Sequence, residues 1–147
     1  MTDNRLRVVV WSTGGIGSIA IRAIHQRPDL DLVGVWVHSA DKVGKDAGEL
    51  ANGEPIGLPT TDDVDALIAL KPDCVVYAAS GPERDALAIP DYVRLLSAGL
   101  NVVTTSTTRL LPEYRTLHPV VSKTIVLACR LTRASLDGGR GGTQRRG

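Results

Sequence analysis

Phenylalanine is absent from this sequence, and aromatic residues make up only 3% of its 147 positions. Proteins that hold single-stranded nucleic acid stack bases on exposed aromatic rings, so this scarcity argues against such a platform. Cysteine occurs twice, at Cys74 and Cys129, which makes neither a disulfide framework nor a metal site. No metal is expected. Cys74 opens the apolar run Val75-Val76-Tyr77 and reads as a small buried hydrophobe. Nowhere do 18 apolar residues run together, and no leader-like apolar stretch precedes the first strand. The expectation is a cytoplasmic protein that does not enter a membrane.

What is present suits one globular domain with a core, since 43% of the residues are hydrophobic. The net charge of +1 conceals an asymmetry. Residues 120–147 carry six basic side chains against one acidic, whereas residues 1–119 carry eleven against fifteen.

The most informative stretch is Leu-Arg-Val-Val-Val-Trp-Ser-Thr-Gly-Gly-Ile-Gly, residues 6–17. A run of β-formers (Val8, Val9, Val10, Trp11) halts at small residues, and the pattern then turns helical through Ile16, Ile19, Ala20 and Ile24. A strand, a tight bend and a helix start are predicted. Such a junction binds anions, because glycines let the backbone approach a phosphate and the first N–H groups of the helix point at it. The dinucleotide template is G-x-G-x-x-G. Gly14 and Gly17 fill its second and third glycine positions, while Ser12 stands at the first, where it offers a hydroxyl but takes positive φ less cheaply than glycine. Ser12, Thr13, Gly14, Gly15, Ile16 and Gly17 are the phosphate-loop candidates. An ordinary βα turn is the alternative.

The helix is expected to run to Gln26, with His25 solvated and Pro28 barring continuation. Residues 31–38, Asp-Leu-Val-Gly-Val-Trp-Val-His, read as a second strand whose near-continuous apolar run suits a parallel sheet. Its end is where a dinucleotide fold reads the adenine ribose: a carboxylate suits NAD, whereas hydroxyl and basic groups suit the 2′-phosphate of NADP. Here the order is His38-Ser39-Ala40-Asp41-Lys42, so NADP(H) is favoured over NAD(H), with Ser39 and Lys42 as phosphate contacts and His38 as their neighbour. A charged hydrogen bond there is worth about 1.5–3 kcal/mol, roughly ten- to a hundredfold in selectivity. If Asp41 rather than Ser39 faces the ribose, NAD wins. Gly44-Lys45-Asp46 is no P-loop, because Asp46 stands where a Ser or Thr is required.

After a loop-rich passage, Thr61-Asp62-Asp63 caps a helix over residues 64–70. Residues 74–79 form a strand that ends at Ser80-Gly81-Pro82, a second small-residue turn on the carboxyl edge where ligands sit in open parallel sheets. A helix over 90–98 is expected, with Pro90 at its first position and Gly99 beyond its end. Residues 101–105 form the next strand, whose Thr104 and Thr105 could line a nicotinamide pocket or reflect plain β-propensity. Ala79, Ser80, Gly81, Thr104 and Thr105 complete the candidate cofactor site. The fold expected is α/β: a Rossmann-like, doubly wound, mostly parallel sheet with helices on both faces.

Four segments in order resemble the N-terminal domain of the dihydrodipicolinate reductase-like proteins, closest to the diaminopentanoate dehydrogenase and native amine dehydrogenase branch. They are Val-Val-Trp-x-Thr-Gly-x-Ile-Gly, Leu-Val-Gly-Val-Trp-Val-His-Ser, Lys-Val-Gly-Lys-Asp-Ala-Gly-Glu-Leu and Gly-Leu-Asn-Val-Val-Thr-Thr-Ser. The resemblance spans about residues 5–110. It implies a Rossmann domain that binds NAD(P)H, here residues 1–119, and an oxidoreductase acting on an imine or carbonyl carbon. It also implies a second domain that supplies substrate contacts and the dimer interface. Two departures leave the catalytic residues unassigned: the substrate-gripping glutamate of the amine dehydrogenases falls on Thr107 or Thr108, and the His-His and Lys signature of the reductases has no counterpart. The short-chain dehydrogenase class fails on spacing, since no tyrosine is followed by lysine four residues on.

Residues 120–147 do not follow the family. Residues 124–129 could add one strand, and from Thr132 onward the Arg- and Gly-rich composition is expected to stay disordered. A truncated or frame-shifted end is the expectation; an RGG-like nucleic-acid tail is disfavoured by the lack of repeats and aromatics. The alternative function is a nucleotide-binding module without catalysis, or an inactive product.

Overall fold

The computed structural model of the chain describes residues 4–79, 82–105, 134 and 136–137. The three consecutive valines and Trp11 lie in β1 (Leu6–Trp11), which passes through the bend at residues 12–14 into α1 (Gly15–Gln26). There follow β2 (Leu30–Trp36), a 3₁₀ turn (Ala40–Lys42), α2 (Ala47–Leu50), α3 (Val64–Ala69), β3 (Cys74–Tyr77), α4 (Pro82–Ser97), β4 (Asn101–Thr104) and β5 (Leu136–Asp137). All strand pairs are parallel, in the order β2-β1-β3-β4-β5. The chain steps outward from β1 to β2, then crosses back past β1 to β3. The order therefore reverses between β1 and β3, and loops leaving the two carboxyl ends there diverge to open a crevice.

Alternation along β1 divides the core between the two faces of the sheet. Val8 and Val10 pack with Ile21 and Ile24 of α1, Val35, and Ala47 and Ala51. Val9 and Trp11 point the other way, into a cluster with Val75, Tyr77, Leu67 of α3, and Tyr92, Leu95 and Leu96 of α4. At about 1.5–3 kcal/mol per buried large apolar side chain, these two layers supply the main driving force for the sheet. Gly34 lets α3 come close to β2, since a Cβ there would stand 2.5 Å from Leu67 Cδ2. Beyond β2, Thr61 makes a one-residue parallel bridge to Trp36: Val37 N–H donates to its carbonyl at 2.9 Å, and its own N–H donates to the Val35 carbonyl at 3.0 Å.

Three details differ from the sequence reading. The helix expected to start at Pro90 starts at Pro82, and Pro90 lies inside α4. Residues 82–89 are mostly good helix formers, and Pro82 takes the first-turn place where a missing N–H costs nothing. Cys74 is half-buried rather than buried, and burial raises its thiol pKa above the ordinary value. The strand expected over residues 124–129 lies outside the described residues, whereas Leu136 and Asp137 pair with Val102 and Val103 at the sheet edge and Ala134 is buried. No helix among the described residues is long and apolar enough to cross a membrane.

Candidate functional site at the carboxyl edge of the sheet

The bend after β1 is built around one unusual residue. Ser12 has φ +101°, a conformation that favours glycine, so serine stands in the glycine position with a glycine's backbone. Its N–H donates to the Trp36 carbonyl at 2.9 Å, which ties the end of β1 to β2, and its Oγ accepts from Gly14 N–H at 3.3 Å. Gly17, in the first turn of α1, lies against that bend: a Cβ there would be 2.0 Å from the Ser12 carbonyl oxygen. The fold itself therefore demands glycine at 17. At 14 and 15 it does not. Gly14 has ordinary dihedrals (φ −70°, ψ −165°), a Cβ on it would meet only Ser12 Oγ at 3.7 Å, and one on Gly15 would meet nothing within 4 Å. Both are exposed, so they form a strip of backbone without side chains at the positive end of α1. No side chain caps that end, and no acid lies in its first turn. Unused N–H groups and the helix dipole thus converge where an anion could approach.

A second wall follows β2. Ser39 precedes the 3₁₀ turn without making a capping bond, and half-buried Lys42 ends it. Ser12, Thr13, Gly14 and Ala79 on one side, with Trp36, Val37, His38, Ser39 and Lys42 on the other, line a cleft of about 210 Å³. Asp41 is exposed and is not among the lining residues. The polar lining comprises hydroxyls, an imidazole and an ammonium, with no carboxylate. That donor set suits a negatively charged ligand. Among the described residues no three His, Cys, Asp or Glu side chains gather as a metal site requires.

Seven of the residues singled out from sequence meet in this cleft: Ser12, Thr13, Gly14, His38, Ser39, Lys42 and Ala79. Gly15, Ile16 and Gly17 form the adjoining first turn of α1. Thr104 is not brought to the cleft. It is 1% exposed, and its hydroxyl is hydrogen-bonded to Tyr92 Oη at 2.7 Å. Thr105 is exposed beyond β4, where its N–H donates to the Tyr77 carbonyl at 3.3 Å. Ser80, Gly81, Thr107 and Thr108 lie outside the described residues.

Sequence reasoning missed a buried row of aromatic rings that reaches the cleft at Trp36. Trp36, Trp11, Tyr77 and Thr104 share one register across β2, β1, β3 and β4. Trp11 stacks on Trp36 with centroids 4.8 Å apart and on Tyr77 at 5.8 Å, and Tyr92 meets Tyr77 edge-on at 4.7 Å. Four of the chain's five aromatic residues are thereby placed in one row. The signal available was only that Trp11, Trp36 and Tyr77 each belong to an apolar run; the register shows that the three align across the sheet.

The segment behind Lys42 is pinned by Asp46, which caps α2. Its carboxylate accepts from the N–H groups of Gly48 (2.8 Å), Glu49 (3.2 Å), Ile56 (3.0 Å) and Gly57 (2.8 Å). These bonds, that from Ile56 foremost, hold its pKa below the ordinary value.

Comparison with known proteins agrees with this arrangement. The amine dehydrogenase of Streptomyces virginiae is 46% identical over 99 residues, which cover 67% of this chain and 28% of that protein. The 4-hydroxy-tetrahydrodipicolinate reductase of Nostoc punctiforme is 40% identical over 62 residues, covering 42% of this chain and 22% of that one. The chain thus spans about a quarter of the length of the curated relatives it matches. The solved amine dehydrogenase from Mycobacterium smegmatis superposes with a TM-score of 0.77 at 28% identity, over 89% of this chain and 38% of that one. Residues 6–111 match the family described as dihydrodipicolinate reductase, N-terminus. On that match, which takes in the bend, both cleft walls and the first four strands, the chain belongs to the dihydrodipicolinate reductase N-terminal family.

Proposed function

We propose that this chain is the NAD(P)H-binding domain of an oxidoreductase that acts on an imine or carbonyl carbon, with NADP(H) favoured over NAD(H). The observation that carries the reading is the pair Gly14 and Gly15, two glycines that the fold does not require, exposed at the uncapped start of α1 on the crevice where the strand order reverses. Close approach of a diphosphate accounts for them. The first turn of α1 would hold the pyrophosphate, and Ser39 and Lys42 would hold the 2′-phosphate, with His38 beside them. Absence of Asp41 from the cleft lining favours the phosphorylated ribose. The nicotinamide, when bound, supplies the hydride; the chain's own part is to fix the dinucleotide along the edge of the sheet. Membership of a reductase family and 46% identity to an amine dehydrogenase support the oxidoreductase reading.

A second reading, nucleotide binding without turnover, is favoured by the lining itself. Its charged and polar groups cluster after β1 and β2, and beyond β3 the described wall is Ala79 alone. Residues 1–119 are proposed as the cofactor domain. Titration of NADPH and NADH against tryptophan emission tests binding, with Trp36 on the cleft wall as the reporter and Trp11 stacked behind it. Gly14→Asp sets a carboxylate against the diphosphate and should weaken binding by about a hundredfold, since a charged contact is worth about 1.5–3 kcal/mol and here changes sign. Unchanged affinity in that variant refutes the loop assignment. Oxidation of NADPH with added imines then separates enzyme from binding module.

A further inference from the structure

We propose that Thr13 is the positioning residue for nucleotide selectivity: its hydroxyl holds the Lys42 ammonium at the cleft wall and so couples the bend after β1 to the turn after β2. The inference rests on reading the cleft as a dinucleotide site, and it names how that site distinguishes a phosphorylated ribose from a plain one. Lys42 Nζ donates to Thr13 Oγ1 at 3.3 Å, a contact between residues 29 positions apart in sequence. Thr13 cannot adjust freely to its partner. It is 8% exposed, and its carbonyl accepts from the buried Ser18 Oγ at 2.9 Å, so the first turn of α1 fixes its backbone.

The root of the lysine is fixed as well. Thr60 Oγ1 donates to the Lys42 carbonyl at 2.6 Å, and Gly44 N–H donates to the Thr60 carbonyl at 2.8 Å. Both ends of a long side chain are therefore anchored before any ligand arrives. An untethered lysine has many rotamers to lose on meeting a phosphate, and a tethered one has fewer. An ammonium has three donors; Thr13 takes one and two remain for phosphate oxygens. Ordering one such side chain in advance is worth about two- to tenfold in affinity. That gain should be confined to the ligand whose phosphate Lys42 meets.

The experiment measures dissociation constants of NADPH and NADH by tryptophan emission for the full chain, Thr13→Val, Thr13→Ser, Lys42→Met and the double variant Thr13→Val/Lys42→Met. Thr13→Val should weaken NADPH by about two- to tenfold more than it weakens NADH. Thr13→Ser, which keeps the hydroxyl, should restore the unsubstituted ratio. In the Lys42→Met background Thr13→Val should not change the ratio of the two constants further, because residues that act as one unit are not additive. Circular dichroism confirms that each variant is folded, and if the valine variant is not, the serine variant and Lys42→Met still decide, since loss of selectivity in the former or its retention in the latter overturns the role. Equal loss of both nucleotides in Thr13→Val, an unchanged ratio there, or an additive double variant also overturns it. Failure of the unsubstituted chain to bind either nucleotide refutes the cleft assignment itself, and that outcome is read before any variant is compared.

Discussion

At Ser12 a side chain occupies backbone space that glycine enters freely. A non-glycine residue at positive φ costs about 1–2 kcal/mol, partly offset here by the Oγ contact with Gly14 N–H. Ser12→Gly should therefore raise stability by about 1 kcal/mol, seen as a higher denaturant midpoint at unchanged slope. Five residues on, the sign reverses. Gly17→Ala drives a methyl group into the Ser12 carbonyl, which is backbone and cannot rotate away, so a loss of about 3 kcal/mol is expected in the same measurement. Asp46 adds a dependence on pH. Its folded pKa lies below the value of about 3.9 for an unfolded aspartate, so its charge stabilises the fold above about pH 4, and that stabilisation fades as pH falls through the folded value. Asp46→Asn should be less stable than the unsubstituted chain near neutrality and converge with it in acid; a gap that persists undiminished in acid would assign the loss to geometry instead of charge.

Among the elements, those whose signal is local were legible in the sequence. The limits of α1, Gly15–Gln26, follow from periodicity and Pro28, and Asp63 caps α3 through Ala66 N–H at 3.0 Å as its spacing before residue 64 suggests. The start of α4 was misplaced because Pro82 and Pro90 fit a first turn equally well; the helix formers of residues 82–89 carry it back to Pro82, and Ala88 is buried in the same cluster as Tyr92, Leu95 and Leu96. The bond from Lys42 to Thr13 was invisible for a different reason: it joins two loops that only strand pairing makes neighbours. Thr104 was open to two readings, and its place beneath Tyr92 depends on the register of β3 with β4. Tyr92→Phe removes that hydroxyl contact from a buried site and should cost about 1–3 kcal/mol. Combined with Thr104→Val, the loss should be smaller than the sum of the single substitutions.

For the molecule as a whole, parallel β1 and β2 bring both cleft walls to one edge, so a ligand held there binds only the folded chain and adds to its global stability. On the proposed function, NADPH at a hundred times its dissociation constant should stabilise the chain by about 2.7 kcal/mol, and NADH at the same concentration by less. Melting curves with each nucleotide check this; identical shifts would count against 2′-phosphate selectivity. The family likeness was legible because it resides in short contiguous segments of residues 6–111, whereas Leu136 and Asp137 join the sheet from a stretch without periodicity. The row of rings has an optical consequence. Two indoles 4.8 Å apart, with planes inclined by 13°, share their electronic excitations instead of absorbing independently. The folded chain should consequently carry a paired far-ultraviolet dichroic band from its indoles, superposed on the backbone signal and lost when β1 and β2 separate.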